Sequence, residues 1–272
     1  MNKDDQAMRK AVKDTYGKLA TESRSCCDSP KQGEMVKLYS GEDLSEIPVE
    51  VLSSNCACGN PIALASLRPG QVVVDLGSGA GLDIFLASKR IGPEGRAYGI
   101  DATPEMVWKA RASAKRMGLE NVEFRLGEIE HMPLPDFTAD VIISNCVINL
   151  APDKTRVFRE AFRVLKPGGR LAISDRVLVK ELPESSRDDP ELWGGCVAGA
   201  MLEGSYLALL REAGFTHVNV EERRLYSDEE AMEFAQSMAE DKRAKGSVAD
   251  VEVLYQAYKC IGNDRIVAFR PG

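Results

Sequence analysis

Between residues 71 and 174 two apolar rhythms alternate along the chain. Short β-branched and aliphatic runs at 71–75, 96–101, 122–126, 141–144 and 170–174 read as buried strands. Between them, 82–91, 104–117 and 154–165 carry apolar residues at three- and four-residue spacing, the pattern of helices with one buried face. Such alternation predicts an α/β protein: a parallel sheet with helices on both faces and right-handed crossovers. Upstream, residues 1–20 read as an amphipathic helix carrying Ala7, Met8, Ala11, Val12 and Leu19, breaking near Gly17. Residues 33–70 form a connector with short helices expected at 45–52 and 62–66, the second opened by Pro61. Downstream, 178–190 is charged and loop-like. Helices are expected at 205–213 and 228–245 and a strand at 217–220. A terminal hairpin is expected with strands 255–261 and 265–269 around Gly262-Asn263-Asp264. The pattern divides the chain into an N-terminal helical arm (1–54), a sheet domain (55–177) and a smaller C-terminal α+β lid (178–272).

The chemistry gathers at the strand ends. The first strand closes on Asp75. Gly77, Gly79 and Gly81 follow at alternate positions before a helix begins at Leu82. Glycine is required where the backbone takes a positive φ or touches a ligand. The first turn of the helix offers unpaired N–H groups to that ligand. A dinucleotide loop reads G-x-G-x-x-G; here the third glycine comes one position early and Leu82 fills its place. An acid at the strand tip suits a ligand with an ammonium group better than one with a pyrophosphate. The second strand ends in Asp101, where a carboxylate can accept from ribose hydroxyls. Glu128 and the pair Asn145-Cys146 stand at the ends of the next two strands and complete one rim.

The loop D-L-G-S-G-A-G-L together with Asp101 resembles the first two motifs of class I S-adenosylmethionine (SAM) methyltransferases. The resemblance implies a Rossmann-like sheet and a set of cofactor contacts. Asp75, Gly77, Ser78 and Gly79, in the loop that Gly81 closes, would meet the amino-acid end of SAM. Asp101 would bind the ribose, with Ala102 and Met106 beside ribose or adenine. Glu128 and Ile129 would frame the adenine. Asn145 and Cys146 would lie near the sulfonium.

Composition narrows the setting. The 272 residues are 44% hydrophobic and 28% charged with a net charge of −7, ordinary values for a soluble globular protein. No Lys/Arg block appears, so nucleic acid is not the expected partner. The first residues are polar, and no apolar run reaches membrane-spanning length. A cytoplasmic protein without membrane contact is expected.

Seven cysteines change the picture: Cys26, Cys27, Cys56, Cys58, Cys146, Cys196 and Cys260. The odd number argues against a secreted disulfide scaffold. No C-x-x-C occurs and the only histidines are His131 and His217, so neither a zinc knuckle nor a histidine general base is expected. Cys58 precedes a predicted helix, a position that lowers a thiol's pKa. Thiolates from separated segments suit a soft centre such as trivalent arsenic. Replacing its hydroxyls by three sulfurs leaves a nucleophilic lone pair, and no general base is needed.

The segments A-C-G-N-P (57–61), S-N-C-V-I-N-L (144–150) and L-W-G-G-C (192–196), with V-L-K-P-G-G (164–169), resemble the motifs of arsenite methyltransferases. The resemblance covers most of residues 55–220. It implies that Cys146 and Cys196 hold As(III) beside the cofactor methyl and that Cys58 is the third sulfur ligand and a relay. It also implies that an arm cysteine, Cys26 or Cys27, pairs with Cys58 during turnover. Thioredoxin or glutathione would then act as reductant, and mono- and dimethylated arsenicals would be the products. Cys56 and Cys260 match no motif. Two other readings fit the glycine loop: a methyltransferase for a small organic acceptor, and a non-catalytic thiol protein that binds metalloids.

Overall fold

A computed structural model describes residues 3–22, 38–54, 56–187, 189–244 and 246–272. Cys26 and Cys27 lie outside the described residues. In chain order the helices are α1 (Lys3–Glu22), α2 (Val49–Leu52), α3 (Pro61–Leu64), α4 (Leu82–Ile91), α5 (Pro104–Arg116) and α6 (Lys154–Val164). They continue with α7 (Glu184–Arg187), α8 (Pro190–Gly194), α9 (Glu203–Glu212), α10 (Asp228–Ala244) and α11 (Val251–Tyr258). The strands are β1 (Val72–Leu76), β2 (Arg96–Asp101), β3 (Val122–Leu126), β4 (Ala139–Asn145), β5 (Leu165–Leu178), β6 (Thr216–Leu225) and β7 (Ile261–Phe269).

All seven strands form one sheet in the order β3-β2-β1-β4-β5-β7-β6. β1 to β5 pair in parallel, β7 runs antiparallel to β5, and β6 runs antiparallel to β7. The central strands are buried on both faces, which is why Val73, Val74 and Leu76 read as one apolar run. One face is covered by α4 and α5 through Phe85, Val107 and Ala110. The other is covered by α6 and α9 through Phe158, Ala161, Tyr206 and Leu210. Chain order reverses between β1 and β4, and at that switch point the crevice beyond the strand ends opens for a ligand.

Two expectations need correction. Helix α1 does not break at Gly17 but continues to Glu22. A Cβ on Gly17 would stand 3.3 Å from the Glu105 carboxylate, so glycine permits α1 to lie against the first turn of α5. The terminal hairpin does not form. Tyr255 belongs to α11, started by Asp250, whose carboxylate accepts from the Glu252 and Val253 N–H groups. Gly262, Asn263 and Asp264 lie inside β7, between β5 and β6. Within 178–272 the elements take two places. β6 and β7 complete the sheet, while α8, α10 and α11 gather a small core of Leu192, Tyr226, Met238 and Leu254.

Candidate active site

The loop after β1 takes the conformation its glycines allow, with φ of +66°, +51° and +99° at Gly77, Gly79 and Gly81. Gly81 caps α4 and a Cβ there would press on Phe124 and Phe85, so it shapes the loop from behind. Gly79 faces open space. The cavity above the loop is lined by Asp75, Gly77, Ser78 and Gly79 from β1 and its loop, and by Asp101, Ala102 and Met106 from β2 and α5. Glu128, Ile129, Asn145 and Cys146 close it from the ends of β3 and β4. Of the residues that the resemblance assigned to the cofactor, all but Gly81 line this cavity.

Its electrostatics favour a cation. Asp75 is buried, and its Oδ1 has no hydrogen-bond partner among the described residues. Burial, and then the nearby charges of Asp83 and Asp101, hold its carboxyl well above the usual range. Burial also pushes Asp83 up to about 6. Asp101 accepts from the Gly79 and Thr103 N–H groups, both at 2.8 Å. The buried Ser78 hydroxyl has no partner among the described residues. An unpartnered acid, a free hydroxyl and an open glycine loop fit the ammonium, carboxylate and ribose of SAM.

One wall was not anticipated. Arg9, Val12, Lys13 and Tyr16 of α1 lie over the cavity mouth. Their spacing of three, four and seven places them in a single stripe, which was the signal available in the sequence. Arg9 donates to Glu130 at 2.7 Å and to Glu128 at 3.1 Å, and Lys13 donates to Glu128 at 2.6 Å. Glu130 is almost fully buried, so these ion pairs are partly shielded from water. An Arg9→Ala variant is expected to raise amide exchange in α1 by about tenfold, the scale of a lost charge-assisted bond. About 1 M salt should reproduce part of that increase in wild-type protein. Unchanged exchange in the variant would show that the apolar contacts of α1 suffice.

The thiol positions converge beside this wall. Cys146 directly follows β4 at φ +56°, and its N–H donates to Ser174 O at 2.8 Å. Cys196 follows α8 at φ +57°, and its thiol donates to Cys146 O at 2.9 Å. Cys58 forms a disulfide with Cys146, with Cα atoms 5.8 Å apart. The expected pairing of Cys58 with Cys26 or Cys27 is thus not the bond present here. Cys146, Cys196 and Leu150 form a buried cluster packed by Cys58, Val12, Tyr16, Val147 and Trp193. Three segments far apart in sequence therefore bring their cysteines into one packed cluster, and Cys146 carries that cluster to the cavity wall. Cys56 is disulfide-bonded and lines the cavity. Cys260 lies apart in the C-terminal core, donating to Glu181 O and Gln256 O, with burial pushing its thiol up.

Behind Cys196 stands the fully buried Asp175, which burial pushes up to about 7. It accepts from Tyr206 Oη at 3.1 Å, Asn149 Nδ2 at 2.9 Å and the Arg176 N–H at 2.9 Å. A folded-state pKa above the unfolded value of 3.8 means that the native protein holds its proton longer. This group's favourable contribution is therefore complete below about pH 4 and lost as pH rises through about 7. Urea unfolding between pH 5 and 8 should show that slope, and Asp175→Asn should flatten it. The amide oxygen can keep two donors while the Tyr206 hydroxyl turns to accept. An unaltered slope in the variant would assign it to another group.

A seven-stranded sheet of this order, with an acid-tipped glycine loop and a second acid on the next strand, is the fold of the class I SAM-dependent methyltransferases. The family model described as a methyltransferase domain matches residues 67–214. Among sequence relatives, an arsenite methyltransferase from Halobacterium salinarum is 42% identical over 80% of this chain and 60% of its own length. One from Homo sapiens is 33% identical over 78% of this chain and 59% of its own. The crystal structure of an arsenic(III) S-adenosylmethionine methyltransferase from Chlamydomonas reinhardtii superposes with a TM-score of 0.66. It is 32% identical and is covered over 74% of its length by 90% of this chain. The chain belongs to the arsenic(III) S-adenosylmethionine methyltransferase family. It spans about 60% of the length of the curated sequence relatives it matches.

Proposed function

We propose that this chain methylates trivalent arsenic held by Cys58, Cys146 and Cys196, in the service of arsenic detoxification. The gathering of these three sulfur positions in one buried cluster at the end of β4, against the cavity of Asp75 and the glycine loop, carries the reading. Asp75, Ser78 and Gly79 would hold the amino-acid end of SAM, Asp101 and Met106 its ribose, and Glu128 and Ile129 its adenine. When bound, SAM supplies an electrophilic methyl group.

The protein's own part is to prepare the acceptor. Each thiol that replaces a hydroxyl of arsenite keeps its sulfur on arsenic and releases one water. Three such exchanges leave a pyramidal centre whose lone pair is free of oxygen and needs no base. Trp193, Val147 and Leu150 exclude water around it. Methylation formally oxidises arsenic by two electrons, and two thiolates restore the trivalent state by closing a disulfide. The Cys58–Cys146 bond supports this assignment. Cys26 or Cys27 would then take the oxidation from Cys58, and thioredoxin or glutathione would return both to thiols. Successive rounds give mono- and dimethylated arsenicals. The test is to incubate the protein with arsenite, SAM and a thiol reductant and to separate arsenic species by chromatography with elemental mass detection. Methylated arsenic is expected. None, with SAM binding intact, would point to an organic acceptor.

A further inference from the structure

We propose that Tyr39 and Asp83 are positioning residues for Cys58, acting through Asn145. The proposal deepens the arsenic reading, on which its consequence for the substrate rests. Asn145 is the last residue of β4, so its backbone carries Cys146. Its side chain reaches the other thiol segment. Oδ1 accepts from the Cys58 N–H at 3.1 Å, and Nδ2 donates to Gly59 O at 2.9 Å. One residue therefore grips both partners of the Cys58–Cys146 pair.

What fixes Asn145 lies beneath it. Nδ2 also faces Asp83 Oδ2 and Tyr39 Oη, both at 3.1 Å, and Tyr39 donates to Asp83 Oδ1 at 2.9 Å. Tyr39 and Asp83 are both buried, so this network is shielded from competing water. It also sets the amide orientation. A flipped Asn145 would turn its oxygen toward the Asp83 carboxylate and the Gly59 carbonyl, and its NH2 toward the Cys58 N–H. The loop is pinned further on both sides. A Cβ on Gly59 would overlap Ser174 Oγ, and Asn60 accepts from the Ala63 N–H to start α3. Asp83 sits in the first turn of α4, directly after the cofactor loop. The network thus ties the loop that bears Cys58 to the helix that frames the cofactor.

Holding Cys58 beside Cys146 raises the effective concentration of one thiol at the other. The test uses the full chain without arsenic or SAM. Wild type, Tyr39→Phe and Asp83→Asn are equilibrated in glutathione buffers. Two glutathione molecules reduce the Cys58–Cys146 bond to two thiols and leave as one glutathione disulfide. Alkylation and peptide mass spectrometry then measure the reduced fraction. Both variants are expected to shift the equilibrium toward the dithiol by about tenfold, the scale of one buried charge-assisted bond. Tyr226→Phe serves as control, because it removes a hydroxyl that accepts from Asn263 at 2.9 Å in the C-terminal core. It should lower the melting temperature and leave the equilibrium alone.

An unchanged equilibrium in folded Tyr39→Phe overturns the proposal, as does an equal shift in Tyr226→Phe. Titration with arsenicals then reads the consequence for the substrate. Tyr39→Phe should weaken arsenite binding more than methylarsenite binding, since a methyl group replaces one sulfur ligand. Equal weakening overturns the link to substrate. Wild-type protein that binds neither arsenical would sink the arsenic reading and leave the redox result standing.

Discussion

Cys146→Ser is expected to abolish arsenic methylation while SAM binding survives. Cys146 lines the cavity beside the glycine loop, its sulfur joined to Cys58 and its backbone carbonyl accepting from the Cys196 thiol. A serine hydroxyl is hard and protonated at neutral pH, and it does not replace a thiolate on a soft centre. Loss of an outer partner of a metal ligand already costs about 10–100-fold, so loss of a ligand should exceed about a hundredfold. The change is nearly isosteric, and it leaves Asp75, the glycine loop and Asp101 in place. Calorimetry with SAM, arsenite titration through Trp193 fluorescence and arsenic speciation read the three effects separately. Full methylation by the variant would remove Cys146 from the mechanism.

The second large effect belongs to Gly77. At φ +66° a side chain costs roughly 1–2 kcal/mol in backbone energy. A Cβ there would also overlap Val147 Cγ2 and come within 2.7 Å of Val147 Cβ. Overpacking of that kind adds about 1–3 kcal/mol. Val147 is the neighbour of Cys146, so it has little room to retreat. Gly77→Ala is therefore expected to lower stability by about 2–5 kcal/mol and to weaken SAM binding more than tenfold. Gly79→Ala is the contrast, since a Cβ there meets nothing within 4 Å and only the backbone cost at φ +51° remains. Chemical unfolding of both variants without SAM checks the ranking. Equal losses would show that Val147 yields.

The sheet domain was legible because its elements are local and consistent. Val72–Val74 is apolar and β-branched, the glycines stand where the turn needs them, and Thr103-Pro104 opens α5 as N-cap and first helical residue. The thiol motifs were legible only through family resemblance, since spacing alone says nothing about which distant cysteines meet. The terminal strand was misread because Gly262-Asn263-Asp264 has turn chemistry. Within β7 those polar groups find partners that a sequence does not display, Tyr226 for Asn263 and Arg223 for Asp264. Lys166 to Gly169 also reads as a turn, and there the pairing of β4 with β5 jumps from Ala139–Leu165 to Val141–Arg170. The network around Asn145 was hidden for another reason. It joins residues 39, 59, 83 and 145 from four separate segments; Gly59 and Asn145 lie in two different motifs, and neither motif shows that they meet.

Cys146 and Cys196 both take the left-handed conformation, a region that favours glycine. Thermostability therefore pulls both positions away from cysteine. On the proposed reading, the two sulfurs that would hold arsenic are kept at a backbone cost that the fold itself does not require.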